Sequence, residues 1–153
     1  MIWPFSKSPR KLQLPPEDDH HWGVVEGEYN GAALIVRFNR TAGEFAGHAG
    51  LPLKLGFAIP LNLPNEGGLP DPDENVDLDA IEDVIRREVA AATSGIHVMV
   101  LTTGVMKELI FYIAPGADIA TLHQSVQNKV TGHEVQCMAV GDPDWESYRA
   151  FVP

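Results

Sequence analysis

The chain has 153 residues, of which 44% are hydrophobic and 21% charged, and a formal net charge of −10; this composition excludes a disordered or fibrous chain and fits one globular domain with a real core. Residues 1–13 hold three bases and no acid, leaving 8 bases against 21 acids, a net of −13, on the remainder. Such a body repels phosphate backbones, so no nucleic-acid binding is expected.

The N-terminal 1–19 segment carries Pro4, Pro9, Pro15 and Pro16 and no hydrophobic period, which predicts a flexible tail ahead of one α+β domain over 20–153. Its short apolar start is followed, not preceded, by Lys7, Arg10 and Lys11, unlike a secretory signal. No apolar run approaches the ~20 residues of a membrane-spanning helix. Together with the single cysteine, Cys137, this leads to the expectation of a cytoplasmic chain with no membrane partner.

Two strands are predicted over Trp22–Tyr29 and Ala32–Asn39, joined by Asn30-Gly31, whose residues tolerate the positive φ that a two-residue hairpin requires. A glycine-rich loop over Thr41–Gly50 follows. From Leu51 to Leu61 every odd position is apolar, which is a strand with one buried face, and Pro52 and Pro60 imply that part of it lacks a neighbour on one side. Residues 62–76 read as a loop, with a helix over Leu78–Thr93 in which Asp79 and Glu82 form a capping pair. A hairpin over Ile96–Thr103 and Lys107–Ala114 turns near Gly104. Then come a helix through Ile119, Leu122, Val126 and Val130, with Gly132 as its C-cap, and a last strand over Glu134–Val140. The order β-α-β-β-α-β from Leu51 predicts a ferredoxin-like sheet with both helices on one face and an additional N-terminal hairpin.

Catalytic signals are sparse. No nucleophile elbow or phosphate-binding loop occurs, Cys137 alternates with apolar neighbours, and the six histidines lack metal-ligand spacing. No catalytic residue and no cofactor is therefore assigned. Asp71, Asp73, Asn75, Asp77, Asp79 and Glu82 stand at positions 1, 3, 5, 7, 9 and 12 of a twelve-residue stretch, the spacing of an EF-hand calcium loop. Val76 occupies the position that needs a left-handed glycine, so the stretch reads instead as an acidic loop favouring the start of the following helix. Glu82-Asp83 and Asp142/Asp144 are the candidate acid/base pairs.

Several dispersed residues stand out together: Trp22, Gly68-Leu69-Pro70, Glu82-Asp83, Thr102-Thr103-Gly104, Phe111-Tyr112 and the closing Asp142-Pro-Asp-Trp145-Glu-Ser-Tyr148. In this combination the chain resembles the bacterial family called domain of unknown function 695, over about residues 20–150. The resemblance implies no activity. The eight acids among residues 66–83, with no base between them, point to a non-catalytic binding or regulatory module that meets a basic protein partner. The alternative is a small-molecule or metal-dependent enzyme whose site assembles only in three dimensions.

Overall fold

The computed structural model describes residues 12–152. Asn30 and Gly31 both take positive φ, 52° and 81°, and close a regular hairpin between β1 (Trp22–Tyr29) and β2 (Ala32–Asn39). Both strands have the expected bounds, because the turn residues and the period-two pattern specify the same register. The remaining elements are β3 (Leu53–Pro60), α1 (Pro72–Ala92), β4 (Gly95–Thr102), β5 (Met106–Ile113), α2 (Ile119–Lys129), β6 (Gln136–Gly141) and α3 (Glu146–Phe151).

All six strands form one antiparallel sheet in the order β1-β2-β4-β5-β3-β6. The hairpin, whose place the sequence leaves open, joins through four residues of β2 paired with β4. This six-strand order differs from that of a bare β-α-β-β-α-β sheet, because two strands extend it beyond β4. Pro60 pairs with Met106 of β5 but lies beyond the reach of β6, as a missing N–H requires.

Each face of the sheet has its own core. Odd residues of β3 (Leu55, Phe57, Ile59) meet Leu78, Ile81, Ile85 and Val89 of α1 and Leu122 and Val126 of α2. Each such aliphatic chain contributes about 1.5–3 kcal/mol on burial. The other face, at β2, β4 and β5, is covered by Ala42 from the glycine-rich segment, by Leu51 just after it, and by Trp145 and Tyr148. Leu12 and Leu14 also pack on this second core, and Glu17 lies 3.7 Å from Arg86 of α1. Part of the expected 1–19 tail thus lies against the domain; residues 1–11 lie outside the described residues.

Two helices depart from expectation. α1 starts at Pro72, six residues earlier than the pattern implied; proline is preorganised for the first helical position, and Asp73 and Glu74 favour the positive helix end. The polar first turn carries no apolar period, which is why it reads as loop. α2 starts where expected, capped by the Asp118 carboxylate accepting from the Thr121 N–H at 3.1 Å, but its C-cap is Val130, with Gly132 in the turn beyond.

α3 was not anticipated. Trp145 precedes it in a left-handed conformation, φ 55°, a conformation costly for a bulky residue. Packing compensates: the indole is fully buried, lies 4.1 Å from the Tyr112 ring in a parallel stack, and donates its N–H to the Leu51 carbonyl at 2.9 Å. Tyr148 donates its hydroxyl to the Asn39 carbonyl at 2.7 Å. Asp142 accepts from the Tyr112 hydroxyl and from the N–H groups of Glu146 and Ser147. Burial opposes its charge, yet these bonds hold its carboxyl below the usual range. The closing motif is therefore an anchor. Trp145→Ala is expected to cost about 3–5 kcal/mol in urea unfolding; a wild-type midpoint would refute the anchoring role.

Candidate binding groove

Lys107 opens the inward face of β5 that continues through Leu109, Phe111 and Ile113, so the strand's alternation carries a charged side chain under α1. Its ammonium is almost fully buried and lies 3.0 Å from Glu82 and 3.2 Å from Asp79. Glu82, itself buried beside Leu78, Ile81 and Ile85, is also 2.5 Å from the Arg37 guanidinium of β2. The two carboxylates neutralise a cation that would otherwise be prohibitive to bury. Asp83, on the outer side, pairs with Arg86.

Arg37 also lies 5.8 Å from the Trp22 ring. Trp22 meets His97 edge-on at 5.1 Å, and His97 stacks on Phe111 at 4.4 Å. His97 is buried at a β-bulge, with neither ring nitrogen hydrogen-bonded among the described residues. Burial first, and then the positive charges of Arg37, Arg86 and Lys107, push its pKa down to about 3.

Above this cluster lies an open groove of about 550 Å³. Its floor is Ile35, Arg37, Thr102 and Lys107 from the sheet, and its α1 wall is Asn75, Asp79, Glu82 and Asp83. Leu69 and Pro70 complete the lining. Gly104 holds this loop: a Cβ there would lie 1.8 Å from the Asn65 carbonyl oxygen, so only glycine permits the loop to dock on the β4–β5 turn.

The stretch expected as an acidic loop is largely helix: residues 72–82 lie in α1 and Val76 has no positive φ. Alternate residues of a helix lie 200° apart. Asn75, Asp79 and Glu82 accordingly face the groove, while Asp77 borders a separate cavity on the opposite side of α1; Asp71 is the N-cap and Asp73 lies in the first turn. Asp79 and Glu82 bind Lys107 instead of forming a capping pair. No group of three or more His, Cys, Asp or Glu side chains is placed to hold a metal among the described residues.

The acids of 66–83 are likewise dispersed. Glu74 is buried and accepts from the N–H groups of Asn62 and Leu63 and from His133; burial opposes its charge, but these bonds hold it below the usual range. With Asp79, Glu82 and Asp83 also paired, half of the eight are engaged within the chain. Of the candidate acid/base pairs, Glu82 is held by Lys107 and Arg37 and Asp83 by Arg86, while Asp142 accepts from Tyr112, Glu146 and Ser147 and the Asp144 carbonyl accepts from Arg149. Burial pushes the Cys137 thiol up to about 11, which leaves it protonated and unreactive at neutral pH.

Sequence reasoning missed Arg37, His97 and Lys107. The signal lay in two positions: Lys107 in register with an inward apolar row, and Glu82 inside the apolar stripe of α1.

Glu82→Gln leaves two cations with one fewer carboxylate and is expected to cost about 3–5 kcal/mol. Replacing Glu82 with Leu and Lys107 with Met together should recover most of that loss in urea unfolding. Equal destabilisation by both would contradict the ion-cluster account. His97→Phe tests the second cluster. The folded-state pKa lies below the ordinary 6.5, so the unfolded chain takes up a proton first as pH falls. Wild-type stability from this residue is full above about pH 6.5 and declines toward about pH 3. The variant should therefore gain stability relative to wild type across that window, and a pH-independent difference would refute the assignment.

The model of the family described as "Family of unknown function (DUF695)" matches residues 20–152. No curated protein and no solved structure matches the chain.

Proposed function

The chain belongs to the DUF695 family, whose description carries no activity, and we propose that it is a non-catalytic binding module whose acidic α1 groove receives basic side chains of a partner protein. The observation that carries this reading is the groove's division of charge. Its floor cations, Arg37 and Lys107, are already paired with Glu82, while Asp79 and Asp83 remain 67% and 54% exposed on the wall. Ile35, Leu69 and Pro70 offer apolar contact for the stems of arginine or lysine, whose charged ends then reach the aspartates. The enzyme alternative draws less support, since no histidine lines the groove and Lys107 is held by two carboxylates.

The segment order β4-β5-β3-β6 within the sheet, with α1 and α2 sharing one core, supports a ferredoxin-like reading of the part after β2, with the hairpin added beyond β4. No helix among the described residues is long and apolar enough to cross a membrane, and the cytoplasm is the compartment we propose.

Replacing Asp71, Asp73, Asp79 and Asp83 with asparagine is the test. Wild-type protein should retain basic proteins from its native lysate at about 0.05 M salt and lose them at about 0.3 M, where screening shortens to a few ångströms. The variant, checked for native unfolding behaviour, should lose them at both. Retention of every partner with unchanged salt dependence would overturn the proposal.

A further inference from the structure

The sheet ends at β1. Edge strands are ordinarily kept short, bulged, interrupted by proline, or marked with charge, lysine above all. β1 runs for eight residues in unbroken register with β2, contains neither proline nor lysine, and carries as its charges Glu26 and Glu28. Val24, Val25 and Tyr29 are 60%, 41% and 65% exposed. Neighbouring side chains of a strand point to opposite faces, so Val24 lies on the α1 side of the sheet and Val25 and Tyr29 on the other. A helix laid on one face would leave the opposite set bare. A strand added at the edge would cover both.

We propose that β1 is a docking edge, to which a partner protein adds an extended segment that alternates basic and apolar side chains. This goes beyond the groove reading and uses a different surface. Glu26 and Glu28 share the Val24 face and are exposed; residues directly across a strand pair share a face and interact, so the partner places bases there. Opposite Val25 and Tyr29 it places apolar groups. At Gly27 between them, a Cβ would meet nothing within 4 Å among the described residues, which leaves space for a large apolar side chain.

Charge selects against a second copy as the occupant. Antiparallel pairing of two β1 strands centred on Glu26 or Gly27 sets Glu26 against Glu26 or Glu28, and each copy carries a net charge of −10. The chain's own basic N-terminal residues include Pro4 and Pro9, which cannot donate to a ladder. β6, at the opposite edge, has no charged residue and so encodes no such choice.

An octapeptide alternating arginine with valine is the probe, titrated into the full chain and followed by amide NMR and hydrogen exchange. The expected result is perturbation and slowed exchange along residues 22–29. N-methylation of alternate peptide amides should weaken binding at least about tenfold by removing the ladder bonds. Glu26→Lys with Glu28→Lys should transfer preference to the corresponding glutamate peptide; Glu26→Gln with Glu28→Gln, a milder change, should lose the arginine peptide without gaining the acidic one. Equal binding of the N-methylated peptide, perturbations confined to α1, or no perturbation at all overturns the proposal. The fourfold aspartate variant leaves β1 intact, so failure here and failure of the groove reading are separate results.

Discussion

A buried ammonium group constrains this molecule more tightly than any single apolar contact. Lys107 sits in a strand whose other inward residues are Leu109, Phe111 and Ile113, and its side chain is only 3% exposed. The carboxylates that satisfy it come from α1, and one of them also binds Arg37 of β2. Three elements distant in sequence are thereby held in one rotational and axial register. Apolar packing alone tolerates small shifts of a helix on a sheet; an ion cluster shared by three elements, with Lys107 and Glu82 buried, tolerates fewer. The orientation of α1 then decides which acids line the groove and which point away.

The second face of the sheet depends on a different device. Trp145 adopts a left-handed backbone and turns the chain end back over β5, where its ring stacks on Tyr112. Asp142 and Tyr148 fasten this turn to the sheet and to the end of β2. The core on this side is therefore closed by a short helix and irregular segments. β1, at the end of the strand order, keeps Val24, Val25 and Tyr29 exposed among the described residues.

The two unassigned surfaces differ in physical character. The groove presents charge above an internally neutralised floor, so its recognition rests on electrostatics and on the stems of long side chains. The β1 edge presents backbone hydrogen-bonding groups with alternating side chains, so its recognition rests on geometry first and charge second. His97, stacked between aromatic rings with neither nitrogen hydrogen-bonded among the described residues, belongs to the support beneath the groove and does not line it.

Local chemistry determined what lay within a few residues. Asn30-Gly31 specified the hairpin, odd-position periodicity specified β3, and Asp118 specified the start of α2. The α+β class followed from the order of these periods. Tertiary structure decided what depends on distant partners. The polar first turn of α1 is helical because Pro72 begins it and Glu74 is satisfied from residues 62, 63 and 133, none of which a local pattern contains. The calcium-like spacing dissolved because a helix sends alternate side chains to opposite sides. Lys107 and Glu82 were visible as charged residues in apolar rows, but their pairing required the fold, since ion pairs are chosen by proximity in space and sequence periodicity records only which way each side chain points.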